Sequence, residues 1–298
     1  SAGSTPPDAL PDDIPASALI YVSDYFSFVG EDGTGHVALA LDNNRGRDGD
    51  VYQAEHFIVL NDERQGWVRL EGNGTYQNAK HELRPIPDSP FFRFHGTPRT
   101  GLTVASDVNH LRLQIDAIPE RTKNRHNGAL TWMGSARAVL TWNDRTIPGR
   151  VIYEYLMMPE FNRLTRTYWG MWKEFQGLYL LADRSIDIYA HSQLSDRTAP
   201  LVGKLIGFLA RGDDTEPMKD LTVEVLDHEF ALGFYRWPTA WRMTWTTSKG
   251  PMTLTLSVSD RKGIGNWIIG GFSMGIVRGE LDDAGTRLPI YGLVEVIL

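Results

Sequence analysis

Turn-forming clusters break this chain roughly every eight to twelve residues, and the stretches between them are short and alternate with period two, the spacing of an antiparallel sandwich or barrel. Val37-Ala-Leu-Ala-Leu41 runs into Asp42-Asn43-Asn44, and Phe57-Ile-Val-Leu60 into Asn61-Asp62. Trp67–Glu71 stops at Gly72-Asn73-Gly74, which predicts a hairpin turn. Arg137–Trp142 stops at Asn143-Asp144, and a strand resumes over Arg150–Tyr155. Leu111–Asp116, Leu221–Leu226, Met252–Val258 and Leu293–Leu298 repeat the alternation. Only Leu201–Leu209 holds a helical spacing, and there Gly203 and Gly207 would each cost about 1 kcal/mol in a helix, so a strand fits equally. The fold class expected is all-β.

The best seam is Met158-Pro159-Glu160-Phe161-Asn162, where a proline and a turn former follow a strand. It divides the chain into a leader over 1–17, an N-terminal β domain over 18–158 and a C-terminal β domain over 159–298, each half the size of a small antiparallel barrel. One large β-sandwich is the alternative. The leader carries prolines and acids but almost no large side chains, so it cannot repay the entropy of folding. Such leaders follow a removed signal peptide or a lipid-anchored cysteine, and a periplasmic or secreted location is favoured over a cytoplasmic one.

Charge and residue usage exclude several function classes. A net charge of -7 argues against general nucleic-acid binding, which needs a cationic face against phosphates. No apolar run reaches the ~18–20 residues of a membrane-spanning helix. With no cysteine there is no thiolate metal site and no cysteine nucleophile. The histidines stand singly, at His36, His56, His81, His95, His110, His126, His191 and His228, in none of the metal-ligand spacings, so neither a metal nor another cofactor is expected.

Two motifs resemble catalytic signatures without their context. Gly271-Phe272-Ser273-Met274-Gly275 spells a nucleophile elbow, but that turn needs a following helix and a later histidine, and the last histidine here is His228. A Gly-rich strand allowing a bend or a close backbone approach explains it. Gly263-Ile-Gly265-Asn-Trp-Ile268 lacks the third glycine of a dinucleotide loop. Asn73-Gly74-Thr75 matches a glycosylation sequon that its turn role already accounts for.

The densest chemistry lies in Leu221–Trp245, where Asp227-His228-Glu229-Phe230 precedes Phe234, Tyr235, Trp237, Trp241 and Trp245. Strand alternation puts Asp227 and Glu229 on one face with Val223 and Val225, and His228 and Phe230 on the other. The charges either leave a core for solvent, with the aromatic residues as core behind them, or line a cavity with those residues as its wall.

This box, followed by a Trp-bearing strand and by Pro251-Met-Thr-Leu-Thr-Leu256, resembles the hydroxyneurosporene synthase (carotenoid 1,2-hydratase)-like family. Trp132–Gly149 is similar to that family's Gly-ending strand pair, and Ile290-Tyr-Gly-Leu-Val-Glu295 to its terminal strand. Phe230 and Ala231 depart from the tryptophan and glycine common there. The resemblance implies two antiparallel lipocalin-like β-barrel halves. The family and its relatives include hydratases, pericyclic-reaction enzymes and members without known activity, and fold alone does not choose among them.

Two functions fit. In an enzyme acting on an apolar, isoprenoid-like substrate, a carboxylic acid delivers a proton to a C=C. Asp227 would be that acid, Glu229 its partner or water base, and His228 an orienting group. Tyr235, Trp237, Trp241 and Phe230 would bind the substrate, the first three cradling a cation at about 0.5–2 kcal/mol each. An acid still protonated at neutral pH must be sheltered from water. In a non-catalytic carrier, the same aromatic lining would hold a lipid, sterol or pigment without a special carboxyl. A third reading, a carbohydrate-binding sandwich, needs Trp67, Trp132 and Trp237 exposed. The partner expected is an apolar small molecule.

Overall fold

The computed structural model describes residues 17–78, 81–83, 86–126, 129–160, 175–193, 205–230, 236–267 and 270–297. Every regular element among them is a strand, and all form two antiparallel sheets that curl into lipocalin-like halves. No helix among the described residues is long and apolar enough to cross a membrane.

The first sheet contains β1 (Leu19–Glu31), β2 (His36–Asp48), β3 (Val51–Asp62), β4 (Gly66–Val68), β5 (Gly74–Gln77), β6 (Arg93–Thr97), β7 (Gly101–Ser106), β8 (Leu111–Ile115), β9 (Glu120–His126), β10 (Ala129–Trp142) and β11 (Arg145–Pro159). Their order is β4-β3-β2-β1-β11-β10-β8-β7-β6, with β5 also on β3 and β9 on β10. The second contains β12 (Phe175–Ala182), β13 (Ile186–Gln193), β14 (Leu205–Arg211), β15 (Asp214–Pro217), β16 (Lys219–Phe230), β17 (Arg236–Thr247), β18 (Gly250–Trp267), β19 (Gly270–Asp283) and β20 (Thr286–Ile297). It runs β15-β14-β13-β12-β20-β19-β18-β17-β16. By packing, the chain divides into two compact units: Ser1–Phe26, Ala40–Val59 and Arg69–Tyr168 in one, Ser27–Leu39, Leu60–Val68 and Trp169–Leu298 in the other.

Local sequence explains most of these elements. Asn143 and Asp144 both take positive φ, 47° and 65°, and join Trp142 to Arg145 by a two-residue hairpin, a conformation that Asn and Asp tolerate best after glycine. The region 201–209 resolves in favour of a strand where it is described, as β14. The Gly271–Gly275 motif sits inside β19; a Cβ at Gly275 would come within 2.9 Å of the Val294 side chain, which is the close approach a glycine allows.

Two turn expectations are corrected. Gly72-Asn73-Gly74 does not close a hairpin, because β4 and β5 both pair with β3, one after the other along the same edge. Between them the Asn73 side chain completes the ladder: its Oδ1 accepts from the Ile58 amide at 2.7 Å and its Nδ2 donates to the Ile58 carbonyl at 3.1 Å. An asparagine amide carries the same donor and acceptor as a peptide unit, so it can stand in for one. Asp42-Asn43-Asn44 does not end its strand either; β2 continues through Asp48 with Asn43, Asn44 and Arg45 wholly buried.

Each sheet has a continuous apolar face. In the second it is built from Leu178, Leu180, Ile188, Leu209, Trp237, Trp241, Met243, Trp245, Leu254 and Leu281, packed as one cluster. In the first, Leu113, Leu140 and Ile147 lie in register across β8, β10 and β11, and Trp132, Gly134 and Ala136 face the same way along β10. This face of the first sheet carries Asp24 and Arg45, both wholly buried.

Candidate functional site

Alternation along β1 places Ile20, Val22, Asp24, Phe26 and Phe28 on one face, all buried. Asp24 is therefore an acid in the middle of an apolar strand face. Its neighbour β2 presents Leu39, Leu41, Asn43 and Arg45 on the facing positions, and Arg45 Nη2 bonds the Asp24 carboxylate. On the other side, β11 brings Tyr153, whose hydroxyl donates to the second carboxylate oxygen. Tyr153 lies opposite Gly134, packs edge-on against Trp132 at 5.7 Å and lies 5.0 Å from Phe26, so the ion pair is set among aromatic rings.

A second polar pair stands nearby. His56 on β3 and Tyr76 on β5 meet at 2.8 Å between Nε2 and Oη, and Phe92 packs edge-on against the imidazole at 5.0 Å. Burial, reinforced by the Arg45 charge, pulls His56 down to about 3, so the imidazole is neutral at ordinary pH. Burial also pushes the Tyr76 phenol up to about 12, against the opposing pull of Arg45. Beside them, the Asp24 carboxylate and the Arg45 guanidinium form an ion pair.

Not every group in this cluster is satisfied. Arg45 is 0% exposed, yet its Nε and Nη1 have no hydrogen-bond partner; Asn43, also 0% exposed, has none at either amide atom. An unsatisfied buried polar group costs about 1–3 kcal/mol, more when charged. Several such groups on one interior face mark that face as the candidate site. On the other face of the same strands Ser23 donates to Asp42 at 2.7 Å, Asn44 donates to Asp42 at 2.8 Å, and Tyr21 donates to Asn44.

The residues singled out in the sequence lie on the second sheet. Asp227, His228 and Glu229 are all exposed at the end of β16, an edge strand. Two register shifts, at Val225/Asp227 and Asp227/His228, break the alternation expected of them: Asp227 pairs with Ala240, whereas Glu229 pairs with Trp237 and shares its face. The Asp227 carboxylate accepts from the His228 amide at 2.8 Å. Glu229 is ion-paired with Arg261, which lies over the Trp237 ring at 5.4 Å, so the structure brings these three together. Trp237 and Trp241 are buried in the apolar cluster, and Trp241 Nε1 donates to Gln176 at 2.6 Å. Phe230 is 78% exposed beneath Arg236 at 5.3 Å. Tyr235 lies outside the described residues. The carbohydrate-module reading is corrected by Trp132 and Trp237, which are buried, at 4% and 6% exposure.

Sequence reasoning passed over Asp24, Arg45, Asn43, His56 and Tyr153. Asp24 alone interrupts the apolar positions of its strand face, and Asp42–Arg45 lies at the point where an adjacent strand could carry the counter-charge. A surface groove of about 520 Å³ at the β6–β8 edge, lined by Arg93, His95, Asp107, His110 and Arg112, is open to solvent, with Arg93 and Asp107 paired. Among the described residues, no group of three or more His, Asp or Glu is placed to hold a metal.

No protein-family model and no curated protein matches the sequence. Solved structures do match its fold. An AttH-type protein from Nitrosomonas europaea is 10% identical with a TM-score of 0.61, covering 99% of this chain and 98% of its own. Kievitone hydratase from Nectria haematococca is 11% identical with a TM-score of 0.55, covering 94% and 89%. CghA is 12% identical with a TM-score of 0.52, covering 96% and 93%, and has also been solved with Sch210972. At these identities the likeness establishes a shared fold over nearly the whole chain.

Proposed function

We propose that this chain is an enzyme of the hydratase/cyclase type that acts on an apolar, unsaturated substrate at the inner face of the first sheet, with Asp24 as the carboxylate that takes up and returns a proton at a C=C. The observation that carries this reading is the Asp24–Arg45–Tyr153 cluster, buried to 0% exposure at each residue within an apolar and aromatic wall. A carrier needs only the wall; a buried ion pair is neutral to unfavourable for stability compared with apolar residues of the same volume. The fold shared with a hydratase supports the reaction class.

The groups present fit a balanced addition. Asp24, held in place by Arg45 and Tyr153, accepts a proton from water as the water oxygen bonds to one carbon of the C=C. The same proton then passes to the other carbon. For a cyclisation, the carboxylate takes a proton from one carbon and returns it to another. Tyr153 fixes the carboxylate's orientation by its hydrogen bond, and Trp132 and Phe26 flank it. In this reading the exposed Asp227, bonded to the His228 amide, and Glu229, ion-paired with Arg261, carry no proton for the reaction.

The test is incubation with unsaturated isoprenoid extracts in oxygen-18 water, read by mass spectrometry. Wild type should give a product heavier by one labelled water, or an isomer of unchanged mass and new retention. Tyr153→Phe, which removes one hydroxyl, should lower the rate on the order of tenfold, as expected for the loss of an orienting hydrogen bond to a charged group. Asp24→Asn should abolish turnover and Asp227→Asn should leave it unchanged. Extract components that bind without conversion would leave the carrier function in place of this one; loss of activity in Asp227→Asn, with Asp24→Asn folded and active, would return the chemistry to β16.

A further inference from the structure

The unsatisfied groups beside Asp24 define what the substrate must carry. Arg45 uses one terminal nitrogen on Asp24, which leaves one N–H on Nε and two on Nη1 without an acceptor. Asn43 stands two residues away on the same strand face, a separation of roughly 7 Å between Cα atoms, and its amide is equally unengaged. The set is rich in donors, rigidly held in a strand and enclosed by apolar side chains. It is suited to a hydrogen-bond acceptor brought in by the ligand.

The charge balance decides which acceptor. Asp24 and Arg45 cancel, while the nearby His56 and Tyr76 are both neutral at ordinary pH. Arg121, also buried and the other such cation among the described residues of this unit, bonds Ser135, whose neighbours Gly134 and Ala136 lie on the site face, so Ser135 points to the opposite one. At the Asp24–Arg45 pair itself an anion would find the guanidinium charge already matched by the carboxylate, whereas a neutral carbonyl oxygen needs only the N–H groups on offer.

We propose that Arg45 and Asn43 form a subsite for a neutral carbonyl oxygen, and that the substrate class is an apolar molecule whose reacting C=C is conjugated to that carbonyl. The inference rests on the hydratase/cyclase reading above and gives it a mechanism. When the water oxygen bonds to the far carbon its proton passes to Asp24 and the displaced electron pair moves onto the carbonyl oxygen, where the N–H donors stabilise it; Asp24 then gives the proton to the carbon next to the carbonyl. No oxidant or further reactant is required.

The experiment compares three probes of nearly equal size by equilibrium dialysis: 2-acetylnaphthalene, its isosteric hydrocarbon 2-ethylnaphthalene, and the anion 2-naphthoate. Wild type should bind the ketone about tenfold or more tighter than the hydrocarbon, as expected for new hydrogen bonds to otherwise unsatisfied donors. Asn43→Leu, which removes an unpartnered amide and breaks no internal hydrogen bond, should remain folded, bind the hydrocarbon as before and lose most of the ketone preference. Equal binding of ketone and hydrocarbon by wild type, or an undiminished preference in Asn43→Leu, would overturn the subsite. Tightest binding of 2-naphthoate would overturn the neutral class. If none of the three binds, the interior is not a ligand site and the hydratase/cyclase reading falls with it; binding without carbonyl preference sinks the subsite alone.

Discussion

Asp24 and Arg45 illustrate how a single residue pair can be expensive for folding and yet be retained. Removing one partner leaves a buried charge with nothing to offset it, so Asp24→Leu should destabilise the protein by about 3–5 kcal/mol. Removing both as Asp24→Leu with Arg45→Met restores an apolar interior, and the double variant should return to within about 1 kcal/mol of wild type or exceed it. Urea unfolding of the three proteins checks this. A double variant as unstable as the single one would mean that the pair holds the strands together and is not kept for chemistry.

At the scale of elements, glycines in β19 and β20 set how closely the strands of the second sheet approach. Gly279 sits between Leu256 and Ile290, and a Cβ there would collide with the Thr255 carbonyl oxygen, a backbone atom that cannot rotate away. Gly263, farther along the adjacent β18 and opposite Ser273, has open space where a Cβ would stand. Gly279→Ala should therefore cost about 1–3 kcal/mol in overpacking, and Gly263→Ala within about 0.5 kcal/mol of nothing, as judged by the denaturation midpoint. Equal midpoints for the two variants would show that the sheet absorbs the added methyl.

Across the whole molecule, acid should act on the two units in different pH windows. In the first, burial holds the His56 pKa at about 3 against an ordinary value of 6.5, so below 6.5 the unfolded chain binds the proton more readily. Stability is then lost as pH falls from 6.5 toward 3. In the second, burial would raise Glu63, but the His36 amide, Arg278 and the His36 ring together hold it down at about 2 from 4.5. That contribution is present above 4.5 and lost as pH falls toward 2. Glu63 belongs to a cluster in which His36 also meets Glu31 at 3.0 Å and stacks on Tyr291 at 4.2 Å. Urea midpoints followed from pH 7 to 3 should show His56→Gln flattening the decline that starts near 6.5, and Glu63→Gln flattening only the part below 4.5. Curves that coincide with wild type in both variants would remove these two groups from the acid response.

The sequence by itself determined that this chain is all-β. Period-two alternation and turn chemistry act over a few residues, which is why Asn143-Asp144 could be read as a turn and Gly271–Gly275 as a close-packed strand. It did not determine the role of Gly72-Asn73-Gly74, because only the pairing of both flanking strands with β3 shows that Asn73 fills a ladder gap. Nor could alternation alone place Asp227 and Glu229, since the bulges that separate them arise from pairing with β17. Asp42–Arg45 is polar enough to read as a turn. Its burial depends on Asp24 and Tyr153, which are distant in sequence and adjacent only across β2, β1 and β11. A charge can be buried where a partner is brought to it, and bringing that partner is the work of the tertiary fold.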